Sequence, residues 1–201
     1  MAATLARADV LNFNDITTFP NPEGTLPDGY GSTPLVSISY ASSTGAPNTP
    51  GYPTYPPYNY VFWWPQYGDL TSVIYSANPF GSILISFTPA SGYELTLNSF
   101  DLGQDVNADD GILAADVLPL QILDTAGPGF VFPYERTIAD IHTHIDSGYS
   151  STGTVTLVVG NNWNIGIDNI DYSVKSVPEP STFILLATAG FGILLRRRFT
   201  C

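Results

Sequence analysis

Two histidines, the only two in the chain, stand where their spacing could do chemistry: Asp140-Ile141-His142-Thr143-His144-Ile145-Asp146. On an extended strand, residues two apart share a face. Asp140, His142, His144 and Asp146 would line one face, and Ile141, Thr143 and Ile145 the other. Neutral imidazoles on one face can converge on a transition metal. A metal-dependent enzyme built on His142 and His144 would still need a third ligand and a base. The same alternation is also what a solvated face opposite an apolar core face produces.

A second polar run is Asp105-Val106-Asn107-Ala108-Asp109-Asp110-Gly111. Its oxygen side chains at positions 1, 3 and 5 (Asp105, Asn107, Asp109), with Asp116 at position 12, are similar to a calcium loop of EF-hand type. Asp110 occupies position 6, where the sharp turn needs glycine, and flanking helices are missing, so a solvated hairpin loop is the competing reading. The third feature is aromatic: Tyr52, Tyr55, Tyr58, Tyr60, Trp63, Trp64 and Tyr67. Flat rings with polar edges stack on sugar rings, which makes this stretch the best candidate for binding polysaccharide. Successive strand residues face opposite ways, so one of the two tryptophans is expected in the core. No P-loop, G-x-G-x-x-G, G-x-S-x-G or H-E-x-x-H motif occurs, and no catalytic residue is assigned.

The elements that must position these residues are short strands. Val10–Phe13, Leu35–Tyr40, Tyr60–Trp64, Ser72–Tyr75, Ser82–Phe87, Tyr93–Leu102, Val117–Leu123, Phe130–Phe132, Ile138–Asp146, Thr152–Val159 and Ile165–Val174 carry β-branched, aromatic or alternating patterns. Pro119 interrupts one of them and places it at a sheet edge. Two Pro/Gly-rich loops, around residues 20–31 and 41–60, separate the first strands. Before the tail, no segment holds an apolar 3.6-residue period over three turns. The expected body is an all-β antiparallel sandwich of jelly-roll type.

Charge narrows the partners. Between Asp9 and Ser176 there are 17 acids and two bases, Arg136 and Lys175. Such a surface repels nucleic acid. It suits a soluble exported protein, or one that binds divalent cations through oxygen ligands. The single cysteine, Cys201, leaves the body without an internal disulfide.

The last 25 residues set the address. Val177-Pro178-Glu179-Pro180 is followed by an uncharged apolar run, Phe183 to Leu195, and then by Arg196-Arg197-Arg198. Thirteen helical residues rise roughly 20 Å, short of a bilayer core of roughly 30 Å, but snorkelling arginines narrow the gap. The arginines place this end on the cytoplasmic side of a membrane. The three-part pattern resembles the PEP-CTERM sorting signal of Gram-negative bacteria. That resemblance implies export, transient anchoring through the C-terminal transmembrane helix, and recognition by the protease-transpeptidase exosortase. It also implies cleavage near Pro178-Glu179-Pro180, then release or attachment at the cell surface. The expected organisation is residues 1–8 as a signal-peptide remnant or structureless terminus, 9–176 as the sandwich, and 177–201 as the sorting signal. Ala6-Arg7-Ala8 has the small-x-small form of a cleavage site, which suggests an internal start at Met1 with a signal encoded upstream.

The closing stretch Trp163-Asn164-Ile165-Gly166-Ile167-Asp168-Asn169-Ile170 is similar to the last strand of exported proteins with a galactose-binding-like jelly roll. The opening Val10–Asp15 and Ser99-Phe100-Asp101-Leu102-Gly103 fit the same pattern. The resemblance implies a structural calcium ion joining the first and last strands, for which Asp15, Asp168 and Asp171 stand in position. Taken together, the sequence points to an exported surface or matrix protein that binds polysaccharide or serves a structural role in a biofilm. A metal-dependent extracellular enzyme is the alternative.

Overall fold

The computed structural model describes residues 7–16, 24–43, 57–65, 67–78, 81–105, 120–132, 142–160 and 163–177. They form twelve strands: β1 (Arg7–Leu11), β2 (Gly24–Thr25), β3 (Val36–Ser42), β4 (Val61–Trp64), β5 (Val73–Ser76), β6 (Ile83–Pro89), β7 (Tyr93–Gln104), β8 (Leu120–Asp124), β9 (Phe130–Val131), β10 (Thr143–Ser151), β11 (Val155–Val159) and β12 (Ile165–Ser176). Every pairing is antiparallel. One sheet runs β10-β7-β12-β5-β4-β2, with β1 also paired to β12; the other runs β3-β6-β11-β8-β9.

Alternation explains how the two sheets share one core. On β6, Ile83, Ile85 and Phe87 are buried; on β11, Val155, Leu157 and Val159 are. Opposite them, β7 supplies Leu95, Leu97, Phe100 and Leu102, and β12 supplies Ile165, Ile167, Ile170 and Tyr172. Phe87 meets Tyr172 across the gap, ring centroids 5.5 Å apart. Burying aromatic and branched side chains of this size contributes about 2 kcal/mol each.

The first sheet carries a second, smaller apolar layer on its other face. Tyr67, Leu70, Val73 and Tyr75 are buried there, with Phe62 and Trp64 packed against them. The sequence made room for this layer. Gly103 and Gly166 sit opposite each other on β7 and β12. A Cβ on Gly103 would lie 2.8 Å from the Tyr67 carbonyl oxygen, and one on Gly166 2.9 Å from the Tyr67 ring and 2.8 Å from Val73. The paired glycines form a step on which the turn from Tyr67 to Leu70 rests. That turn is closed by reciprocal backbone bonds, Tyr67 N–H to Leu70 C=O and Leu70 N–H to Tyr67 C=O.

Several expectations shift. β8 lies inside its sheet between β11 and β9 rather than at the edge, and Pro119 lies outside the described residues. The strand expected at Ile138–Asp146 is described as Thr143–Ser151, passing a register irregularity between Asp146 and Tyr149. β2 lies within the proline-rich loop and is too short to show a period. β1 starts at Arg7, two residues before the expected boundary at Asp9. Among the described residues no helix is long and apolar enough to cross a membrane. The expected helix at Phe183–Leu195 lies outside them.

The glycine step makes a direct prediction. Gly103→Ala should destabilise the fold by roughly 1–3 kcal/mol, because the added methyl meets a backbone oxygen that cannot step aside. Equilibrium urea unfolding would measure this; an unchanged midpoint would show that the turn does not sit where described.

Candidate functional site

Along a strand, Asp101 shares a face with Gly103, and Asp168 shares one with Gly166. The two aspartates are also opposite each other, Asp168 against Asp101. The outer face of the first sheet therefore carries a carboxylate pair next to the step that seats Tyr67 and Leu70. Asp168 is 2% exposed and Asp101 7%. Asp168 Oδ1 is buried without a hydrogen-bond partner. Burial pushes the Asp168 carboxyl up to about 6, with Asp101 adding repulsion, while the backbone N–H groups of Asn169 and Phe13 pull the other way.

The backbone is distorted here. β12 shifts register between Asp168 and Asp171. Asn169 takes a left-handed conformation, φ 49°, and among the described residues no other non-glycine does so. Asparagine tolerates this region better than most residues. The bulge turns its side chain so that Nδ2 donates to Asp101 Oδ2 at 2.9 Å.

Both histidines come to this face, each held by its own acid. His144 lies opposite Asp101, and its Nδ1 is 2.6 Å from Asp101 Oδ1. That bond raises the imidazole above its ordinary value against a smaller opposing effect of burial, and Asp146 adds to the rise. His142 precedes β10. Its backbone N–H donates to Asp69 Oδ1 at 2.7 Å, and its Nδ1 lies 3.0 Å from both Asp69 oxygens. The His142 N–H holds Asp69 below the usual carboxylate range. Two His–Asp couples thus pin the start of β10, one to β7 and one to the turn on the glycine step.

Nothing in the linear sequence joins His144 to Asp101 or His142 to Asp69; those partners were missed. Of the other expected metal residues, Asp105 is buried and its N–H donates to Asn164 C=O at 3.0 Å. Asn107, Asp109, Asp116 and Asp140 lie outside the described residues. Asp15 lies against the Tyr30 hydroxyl, which burial and that carboxylate push up. Asp171 Oδ1 accepts from Asn98 Nδ2 at 3.1 Å. Among the described residues no three His, Cys, Asp or Glu side chains gather as a metal-ligand set.

The aromatic residues form a ladder on the same face. Tyr58 stacks on Tyr60 at 5.1 Å, Tyr60 meets Phe62 at 5.7 Å, Phe62 meets Tyr75 at 5.7 Å, and Tyr75 stacks on Tyr67 at 5.7 Å. The ladder is half-buried at Tyr58 and Tyr60 and buried at Tyr67 and Tyr75. Trp63 packs toward the main core and Trp64 toward the outer layer, both half-buried, as opposite-facing neighbours on β4. Tyr52 and Tyr55 lie outside the described residues.

A separate cleft of about 420 Å³ lies at the far end of β10, lined by Glu94, Asp124, Gly127, Tyr149, Ser150 and Thr152. Burial pushes Asp124 up, but it accepts from Ala126 N–H, Tyr149 Oη and Ser151 Oγ, each at 2.8 Å, and these donors hold it below the usual carboxylate range. Its acceptors are thus taken up by the fold.

Residues 176–198 match the PEP-CTERM protein-sorting motif. The described residues are thus all-β, and the chain carries the address of an exported substrate of exosortase. No curated protein and no solved structure matches it.

Asp168 and His144 respond to pH in one direction, Asp69 and Asp124 in the other. Asp168 and His144 both bind protons more strongly in the folded state, so their contribution is complete below their unfolded values, about 4 and about 6.5. It is lost as pH rises through the higher folded values. Asp69 and Asp124 act oppositely, stabilising above about pH 4 and losing that contribution below it. Asp168→Asn should therefore raise the melting temperature at pH 8, by the equivalent of up to about 3 kcal/mol, and do little at pH 4. A calcium ion held by Asp168 would reverse the sign at pH 8, and millimolar calcium would then raise the melting temperature of the wild type alone.

Proposed function

We propose that the exported body is a non-enzymatic surface or matrix module of galactose-binding-like jelly-roll type, which binds polysaccharide along the outer face of its larger sheet. The aromatic ladder carries this reading. Its buried end, Tyr67 and Tyr75, is fixed by the glycine step. Its accessible end, Tyr58 and Tyr60, presents stacked rings on an outer sheet face. Rings held this way offer stacking surface to a sugar with little ordering left to do on binding. Ordered acids and histidines next to the buried end add hydrogen-bonding groups of the kind that orient hydroxyls. The acidic surface favours a neutral or cation-bridged glycan over an anionic one.

Retention of the processed protein on exopolysaccharide from the producing cell tests this reading. Tyr60→Ala should weaken retention about tenfold, the equivalent of roughly 1.4 kcal/mol of stacking, while lowering the melting temperature only slightly. Tyr75→Ala, in contrast, should unfold the outer layer at roughly 3–5 kcal/mol. Retention of Tyr60→Ala equal to wild type would show that the aromatic face does not bind the glycan.

A further inference from the structure

The longest ladder among the described residues runs straight into the sorting motif. β12 stays paired with β7 through Lys175 opposite Glu94 and Ser176 opposite Tyr93. The pairing extends one residue further, where Val177 N–H donates to Gly92 C=O at 2.8 Å. Lys175 Nζ adds an ion pair with Glu94 Oε1 at 2.7 Å. The matched motif begins at residue 176. Fold and motif therefore overlap at Ser176 and Val177, and no spacer separates them.

This overlap creates a conflict. A peptide cleaved by a peptidase is generally bound extended, with its backbone N–H and C=O groups engaged by the cleft. Each residue has one N–H, so Val177 cannot give it to Gly92 and to a cleft at once. Distance adds to the difficulty. Five residues lie between Val177 and Phe183, where the apolar run begins. Fully extended, that connection spans at most about 20 Å. The radius of gyration of a body this size is about 15 Å. The folded body would thus be held close against the membrane while its last strand is still zipped.

We propose that processing proceeds through a frayed state in which Lys175–Val177 has left β7, so that the pairing of this strand end sets the rate of cleavage. Strand ends open at little free energy compared with the core, which makes such a state accessible without unfolding the body. The local charge fits. The two cations among the described residues, Arg7 and Lys175, both lie at this end, Arg7 opposite Val174 and paired with Asp9. An otherwise acidic body is thus least acidic at the end nearest the sorting motif. The inference rests on the exosortase-substrate reading and adds a regulatory step to it.

Two full-length variants test it in a host that carries the processing enzyme. The first inserts a flexible Gly/Ser segment and a second copy of Lys-Ser-Val between Val177 and Pro178, leaving both the folded strand end and the motif whole. The second is Tyr93→Cys/Ser176→Cys. Because Val177 and Gly92 form a hydrogen-bonded pair, the adjacent Ser176–Tyr93 pair is of the close, non-hydrogen-bonded kind that a disulfide can bridge. Conversion of precursor to the shorter form is followed by pulse-chase. The insertion should speed conversion several-fold. The disulfide should slow it several-fold, with reductant restoring the rate and Ser176→Cys alone having little effect. Wild-type rates in both variants would overturn the fraying step while leaving the sorting reading intact. A wild type that is never shortened would overturn both.

Discussion

The β7–β12 ladder is the constraint on which the rest depends. It runs from Ile165 opposite Gln104 to Ser176 opposite Tyr93. One face of it supplies Leu95, Leu97, Leu102, Ile165 and Ile167 to the core between the sheets. The other face carries, in order, the glycine step that seats the turn at Tyr67 and the Asp101–Asp168 pair. Its end delivers the chain to the sorting motif. A one-residue slip would exchange these faces, burying carboxylates in the core and exposing leucines. The hydrophobic pattern forbids that slip, so the position of every outer-face group follows from the packing of the inner one.

The outer face is where the structure departs from the most stable arrangement. A buried carboxylate with an unpartnered oxygen, an asparagine in the left-handed region and a broken register all fall within Asp168–Asp171. Each is unfavourable by itself. They sit next to a half-buried aromatic ladder and two acid-paired histidines. These departures fall on the outer face of the larger sheet, while the core between the sheets keeps its alternation.

Much of this was legible in the sequence, for identifiable reasons. Alternation in Tyr93–Leu102 and Ile165–Val174 marked both strands of the ladder, and β-branched runs marked their neighbours. The opposite facing of Trp63 and Trp64 followed from the period of two. The tail was readable because its three parts are contiguous. The outer layer was not readable. Gly103 and Gly166 look like ordinary turn or bulge glycines until their register places them together. The His144–Asp101 pair joins residues 43 positions apart, and no local pattern reports such a pairing. Pro119 suggested an edge, but β8 takes its place from long-range pairs with β11 and β9 that no local pattern reports.

This domain carries an export address fused to its last strand. The direct measurement is the intact mass of the protein recovered from outside the cell. The expected species has its C-terminus near Pro178-Glu179-Pro180 and lacks Phe183 to Cys201. A recovered protein that still ends at Cys201 would contradict it.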